Sequence, residues 1–362
     1  MVSKNDEWRV IESLLPPGWE ESARATNAFR RVRYTSEPAH LLRLLLFHAV
    51  NGTGLRETVA QATAAGLESM SQVGLFKRLR TSGGWLEWIA ANLCASFRER
   101  PRLADGMRLR ALDSTTIQGP ASKGTEWRLH YTVSLTTLGC DWFELTDATG
   151  SELLERTPMA PGDVLIADRN YLRLDGARAV VAAGADLVVR MRWTHPQMTS
   201  PNGKKFSALT RARRLRVGEV GEWPVNLVGA GKPVVGRVIA IRLPAPIAAQ
   251  AKRRAARQSI KKGKTPDPRS LEAAHFVMVF TTLTTKKLAA HEVLELYRCR
   301  WQIELVFKRL KQLLNLGQLP HKDPATARTW IAAKLVVAFL LEKLHRNART
   351  FSPWGFNLEK LT

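Results

Sequence analysis

Cysteines are scarce in this sequence, and acids are few for its length. Of 362 residues only three are cysteine, Cys94, Cys140 and Cys299. They lie far apart without paired metal-ligand spacing, which argues against a disulfide framework or a zinc site and fits a reducing compartment. Asp plus Glu number 32 against 55 Lys plus Arg, a formal net charge of +23. So large an excess in a chain with 45% apolar and 24% charged residues describes a globular protein with a polyanion partner. Nucleic acid leads, and an anionic membrane surface comes second. Long hydrophobic runs are missing too. The amino end, "MVSKNDEWRVIESLLPPGW", has no apolar signal stretch, and the longest late apolar run, "LVVAFLL", is closed by Lys334 and Glu342, too short to span a bilayer. A soluble cytoplasmic protein is expected, with no membrane partner. No internal repeat or long low-complexity segment is evident.

The length suits two or three domains. Residues 1–100 read as helical. "EPAHLLRLLLFHAV" carries a helical apolar period, and "GLRETVAQATAAG" and "SQVGLFKRLRTSGG" follow with a turn between them. Two short helices, the second bearing Lys77, Arg78 and Arg80, read either as a helix-turn-helix with a basic recognition helix or as a helical bundle with a wet basic face. Residues 101–193 change period. "MRLRALDSTT", "WRLHYTVSLTTL" and "WFELTDAT" read as a strand meander, and "DVLIADRNY", "LDGARAVVAAG" and "ADLVVRM" as strand, helix, strand. That order gives a mixed α/β sheet. Both Asp113 and Asp168 are expected where a buried strand runs out. Residues 194–275 form a basic, β-rich block read as an insertion, with seven Lys or Arg within 252–264. That run is either a solvated segment or a DNA-backbone contact. Residues 276–362 resume the earlier style with the strand "HFVMVFTTL", a helix over 297–314, and a helix capped at Asp323 and Pro324 that runs to about Arg346, either completing the core or supplying a dimer face.

The stretch "YRCRWQIELVFKRLK" repays a helical projection. From Tyr297, the offsets to Arg300, Glu304 and Lys311 fall at about −60°, −20° and −40° on an ideal helix, so the four share one stripe. Leu296, Ile303, Phe307, Leu310 and Leu314 form an apolar face beside it. Three carboxylates therefore stand out by position: Asp113, Asp168 and Glu304. Hard divalent cations need oxygen ligands, and a pair of them drives in-line phosphodiester displacement.

"DSTTI" at 113, "DRNY" at 168–171 and the pattern Y-x2-R-x3-E-x6-K resemble the signature of bacterial DDE transposases of the insertion sequence 4 family. The resemblance covers most of the chain. It implies a ribonuclease-H-like mixed sheet with helices, interrupted by a β-rich insertion, behind an amino-terminal helical DNA-binding domain. It implies that Asp113, Asp168 and Glu304 hold Mg²⁺, with Mn²⁺ as substitute, and that Arg300 and Lys311 grip the transposon end while Tyr297 bonds a phosphate near the cut. Arg169 and Tyr171 lie close enough to the second Asp to reach the same strand, Tyr171 having packing as its alternative. Phe276 stands where relatives that cut through a hairpin stack a flipped base on tryptophan; core burial is its alternative. The partners implied are double-stranded DNA, as transposon ends and target, and a second copy in a homodimer. The implied activity is binding of terminal inverted repeats, Mg²⁺-dependent hydrolysis and strand transfer. A ribonuclease-H-like nuclease and a non-catalytic DNA-binding regulator are the competing readings.

Overall fold

The computed structural model describes residues 4–29, 37–67, 70–97, 106–122, 124–194 and 196–350. Its organising element is one nine-stranded sheet. The strands in chain order are β1 (Arg108–Gln118), β2 (Thr125–Ser134), β3 (Cys140–Asp147), β4 (Asp163–Ala167), β5 (Asp186–Arg190), β6 (Met198–Thr199), β7 (Val220–Leu227), β8 (Val234–Arg242) and β9 (Phe276–Thr281). Across the sheet they run β3-β2-β1-β4-β5-β9-β8-β7-β6. β1, β4 and β5 pair in parallel, and every other neighbouring pair is antiparallel. The mixed α/β architecture expected from the sequence is present.

The parallel centre follows from composition. All five residues of β4, "DVLIA", are buried, as a strand covered on both faces requires. Its alternate side chains feed two cores: Val164 and Ile166 on one face, Leu165 and Ala167 on the other.

Six helices precede the sheet: α1 (Lys4–Leu14), α2 (Trp19–Ala25), α3 (Pro38–Asn51), α4 (Leu55–Ala64), α5 (Gln72–Thr81) and α6 (Gly83–Ser96). Seven more follow: α7 (Leu174–Ala182), α8 (Ala208–Ala212), α9 (Ala245–Lys261), α10 (Pro268–Ala273), α11 (Ala290–Arg298), α12 (Trp301–Gln312) and α13 (Pro324–Thr350). The Asp323 carboxylate accepts from the Thr326 amide at 3.0 Å and Pro324 opens the first turn, so α13 starts where the sequence signals it. Ala327, Trp330, Ile331, Leu335, Val336 and Phe339 repeat at helical spacing along its buried stripe, which packs on α1, α3, α5 and α6. This helix completes the core. By length and composition Pro324–Asn347 matches a bilayer span, longer than the apolar run alone suggested, but 67% of that window is buried inside the fold.

Four details differ from the sequence reading. Asp113 lies inside β1 rather than at its end, because β1 outlasts β4 and stays paired with β2 as far as Gln118. The helix expected over 297–314 is two helices, with a turn at Cys299–Arg300 closed by i to i+3 bonds such as Arg300 N to Tyr297 O at 3.1 Å. The break has a packing cause. Leu296 packs on the core beneath β4, β5 and β9, whereas Ile303, Phe307 and Leu310 pack on the core beneath β1 and β2. The block expected to be β-rich mixes β6, β7 and β8 with α8, α9 and α10, and its strands extend the same sheet. Finally, Cys94 and Cys140, distant in sequence, lie with sulfurs 3.3 Å apart as buried free thiols joining α6 to β3.

Beneath the site the β1/β4 register is fixed by buried ions. Arg108 and Asp163 are paired across the ladder, and the guanidinium donates to both carboxylate oxygens at 2.6 Å. Arg110 donates to Asp163 at 2.9 Å and to Asp141 as well. Burial raises the Asp163 pKa, but the Arg108 hydrogen bond and the two arginine charges outweigh it and hold the carboxyl below its ordinary range. The contribution of Asp163 is therefore present at neutral pH and is lost as pH falls through its lowered pKa. Asp163→Asn leaves Arg108 and Arg110 to share the single buried carboxylate of Asp141 and is expected to cost about 3–5 kcal/mol in chemical denaturation at pH 7.

Candidate active site

The last β1/β4 ladder pair is Ala111 with Ile166. The same offset carried two residues further sets Asp113 opposite Asp168, the first residue beyond β4. Parallel register partners project from the same face, so both carboxylates share the face that α11 and α12 cover. Each is fixed locally by a backbone amide. The Asp113 Oδ1 accepts from Ser114 N at 2.8 Å and the Asp168 Oδ1 from Asn170 N at 2.7 Å.

Arg300, at the turn between α11 and α12, donates to Asp113 Oδ2 at 3.4 Å and also to Glu304 one turn along. Its guanidinium thus ties Asp113 to Glu304, and Tyr297 hydrogen-bonds the same group. Glu304 is exposed and Arg300 is largely covered. Burial pushes the Asp113 carboxyl up to about 7; the Ser114 amide and Arg300 oppose the rise, while the Asp168 and Glu152 charges add to it. Burial likewise raises the Tyr297 phenol and lowers the Lys311 ammonium. Lys311, half-buried two turns beyond Glu304, has no acidic partner among the described residues.

The remaining residues singled out by sequence are spread. Arg169 is exposed and reaches Gln258 of α9 at 3.5 Å. Tyr171 is 2% exposed, its ring in the core with Leu112 and Leu165 and its hydroxyl bonded to Ser114, so the fold gives it the packing role. Phe276 is 4% exposed, with the Arg242 guanidinium 6.0 Å from its ring centre; it too is packed rather than open to a base. On α5, Arg78 bonds the Ala28 carbonyl at 3.1 Å and lies over Phe29, Arg80 meets Asp323 at 3.7 Å, and Lys77 is exposed. These three are remote from the carboxylates in sequence and sit on the helical side of the fold.

Several neighbours were not singled out by the sequence. Glu152 accepts from Ser114 Oγ at 2.7 Å, Arg128 at 2.9 Å and Asn170 at 3.3 Å. Glu152, Arg128 and Asn170, with Arg169, Arg173 and Arg192, line a cleft of about 390 Å³ beside Asp168. Ser114 and Asn170 belong to the two aspartate motifs and were legible as such. Glu152 sits in the loop "SELLER", which has no periodicity to mark it.

Two facing carboxylates, one with its proton affinity raised by burial and further by the other's charge, are a hard-oxygen donor set suited to Mg²⁺ or Mn²⁺. Among the described residues no three Asp, Glu, His or Cys converge closely enough to hold an ion, because Glu304 is engaged with Arg300. The donor chemistry of the Asp113–Asp168 pair fits a divalent cation.

Residues 104–340 match the transposase DDE domain family. The chain is 35% identical over 368 residues to the putative transposase InsL of insertion sequence element IS186A from Escherichia coli strain K12, covering 99% of this chain and all of that protein. It is equally similar to the transposase of element IS421 from Escherichia coli, at 35% over 369 residues with the same coverage. The transposase of element IS231E from Bacillus thuringiensis subsp. finitimus is 26% identical over 207 residues, 53% of this chain and 43% of its own length. The chain belongs to the DDE transposase family.

The pKa of Asp113 has a thermodynamic consequence. A carboxyl raised from 3.8 in the unfolded chain to about 7 costs nothing below the unfolded value and destabilises the fold increasingly as pH rises from there to about 7, above which the cost is constant. Asp113→Asn is expected to melt higher at pH 8, by the equivalent of about 2–4 kcal/mol. Thermal scans at pH 8 and pH 5 should show the advantage shrinking toward acid.

Proposed function

We propose that this insertion-sequence transposase binds the terminal inverted repeats of its element, hydrolyses DNA at the ends and joins the freed 3′-hydroxyls to target DNA, using Asp113, Asp168 and Glu304. The observation that carries the assignment is the β1/β4 register, which sets Asp113 opposite Asp168 beside the Arg300–Glu304 pair. The signature from Tyr297 to Lys311 supports membership of the insertion sequence 4 group. A mixed sheet with a central parallel trio and helices on both faces supports a ribonuclease-H-like catalytic unit.

The chain's own residues do the following. Asp113 and Asp168, held by neighbouring amides, would be two ligands of a divalent ion, and Glu304 would be the third. When bound, divalent ions supply activation of the attacking oxygen and neutralisation of the leaving one. Arg300 neutralises Asp113 and Glu304 before DNA arrives, then turns to the phosphate backbone, where a planar fork makes bidentate contacts. Tyr297 orients Arg300 through its hydroxyl. Lys311, having no acidic partner, takes a second phosphate further along the strand.

Further DNA contacts fit the charge distribution. The 17-residue α9 buries only Ala248 and exposes Lys252, Arg253, Arg254, Arg257 and Lys261 to solvent. Arg169 links this basic helix to the catalytic side of the sheet. We assign α1–α6 to end recognition, with Lys77 and Arg80 of α5 the outward cations and Arg78 a structural one. Catalysis at paired ends suits a homodimer, and a cytoplasmic location follows from the DNA substrate.

Asp113→Ala, Asp168→Ala and Glu304→Ala are each expected to abolish Mg²⁺-dependent cleavage of an end-bearing DNA, while gel-shift binding of that DNA persists. Full cleavage by Glu304→Ala would sink the assignment, and failure of purified protein to join a pre-cut end to target DNA would favour a stand-alone nuclease. Replacing Arg253, Arg254 and Arg257 together with alanine should weaken binding of all DNA sequences alike. The slope of log affinity against log salt should flatten by about 0.9 for each phosphate that the variant no longer neutralises.

A further inference from the structure

Glu152 stands between the two aspartate motifs, and each of its carboxylate oxygens is committed to one of them. Its Oε1 accepts from Ser114 Oγ at 2.7 Å, and the amide of the same serine fixes Asp113 Oδ1 at 2.8 Å. Its Oε2 accepts from Asn170 Nδ2 at 3.3 Å, and the amide of that asparagine fixes Asp168 Oδ1 at 2.7 Å. One carboxylate thus straps together the two residues that orient the two aspartates. Arg128 holds the strap from outside, donating to Glu152 Oε1 at 2.9 Å and to Ser114 Oγ at 3.2 Å. Arg192 donates to Asn170 Oδ1 at 2.5 Å, which leaves the Asn170 Nδ2 free to face Glu152.

We propose that Glu152 is a positioning residue for divalent metal, acting through Ser114 and Asn170 to hold Asp113 and Asp168 at ligand spacing. This rests on Asp113 and Asp168 being the metal pair. The physical reason for such a strap is charge. Two facing carboxylates repel each other, and β4 has already ended at Ala167, so no ladder bond holds Asp168 against Asp113. A hydrogen-bonded bridge from the Ser114 side to the Asn170 side supplies the missing constraint. Arg128 offsets the charge that the bridge itself brings.

The test is Mn²⁺ binding to the full chain without DNA, followed by the electron paramagnetic resonance signal of free Mn²⁺. Glu152→Ala is expected to weaken binding about 10–100-fold, the usual effect of removing a group that orients metal ligands. Glu152→Gln keeps the acceptor for Ser114 and Arg128 but sets its amide donors against Asn170, so it should fall between wild type and Glu152→Ala. Binding of end DNA in the absence of metal should be unchanged in both. Wild-type Mn²⁺ affinity in Glu152→Ala overturns the proposal; so does parallel loss of Mn²⁺ binding, DNA binding and thermal stability in both variants, which marks a merely structural role. If Glu152→Ala does not fold, Glu152→Gln decides: wild-type Mn²⁺ affinity there is equally fatal. Asp113→Ala is the control. Should it bind Mn²⁺ like wild type, the metal pair itself is misassigned, and the fault lies there rather than with Glu152.

Discussion

The site depends on a buried quartet of ions, Arg108, Arg110, Asp141 and Asp163, at the base of β1, β3 and β4. Burying four charges is costly, and the Coulomb attraction between partners repays it only where every donor and acceptor is met. Here Asp163 accepts from two nitrogens of its ladder partner's guanidinium and takes a third bond from Arg110. Such a fit tolerates no slip. A one-residue shift of β4 would move Asp163 off Arg108 and turn its side chain to the other face of the sheet. The register in turn sets which residue of β1 meets the first residue after β4. The quartet is therefore a stability element whose geometric output is the Asp113–Asp168 pair, five residues further along each strand.

Arg300 provides the second constraint, and it depends on a broken helix. In a straight helix Tyr297 and Glu304 would share a stripe about 20° apart, with Arg300 between them on the same surface. The tightened turn at Cys299–Arg300 instead lets α11 and α12 seat their apolar faces on two separate cores. Arg300 is left at the joint, close to β1, where it reaches Asp113 as well as Glu304. Its two carboxylate partners come from elements 187 residues apart in sequence and from one turn of its own helix. The joint couples the helix to the sheet electrostatically rather than by packing alone.

Much of the fold was legible in the sequence where local pattern and tertiary need coincide. "DVLIADRNY" reads as a buried strand because a run of four apolar residues, Val164 to Ala167, ends at a turn-forming Asp, and β4 ends there. The cap at Asp323 and the apolar period of α13 were legible for the same reason. The end of β1 was not. "RALDSTTIQ" alternates well past Asp113, and only the shortness of β4, a property of another segment, ends the parallel pairing at Ala111, two residues before Asp113. The break at Cys299 was hidden because neither Gly nor Pro marks it; two cores acting on one helix do. Glu152 was illegible because a loop residue declares itself only through its partners, which lie 38 and 18 residues away. The contact between Cys94 and Cys140 is a case of the same kind.

The electrostatics of the pocket run against those of the chain. A protein carrying +23 brings Asp113, Asp168 and Glu152 near one another, and burial, with the Asp168 and Glu152 charges adding to it, pushes the Asp113 carboxyl up to about 7. Such a cluster is costly for the fold alone, and the arginines around it, Arg128, Arg300 and Arg192, offset part of that cost. They also have a second capacity. Each is a planar cation able to exchange a carboxylate for a phosphate without changing its own state. The acids thus hold the arginines in place, as Glu152 does Arg128 and Glu304 does Arg300, and the arginines offset the repulsion between the acids.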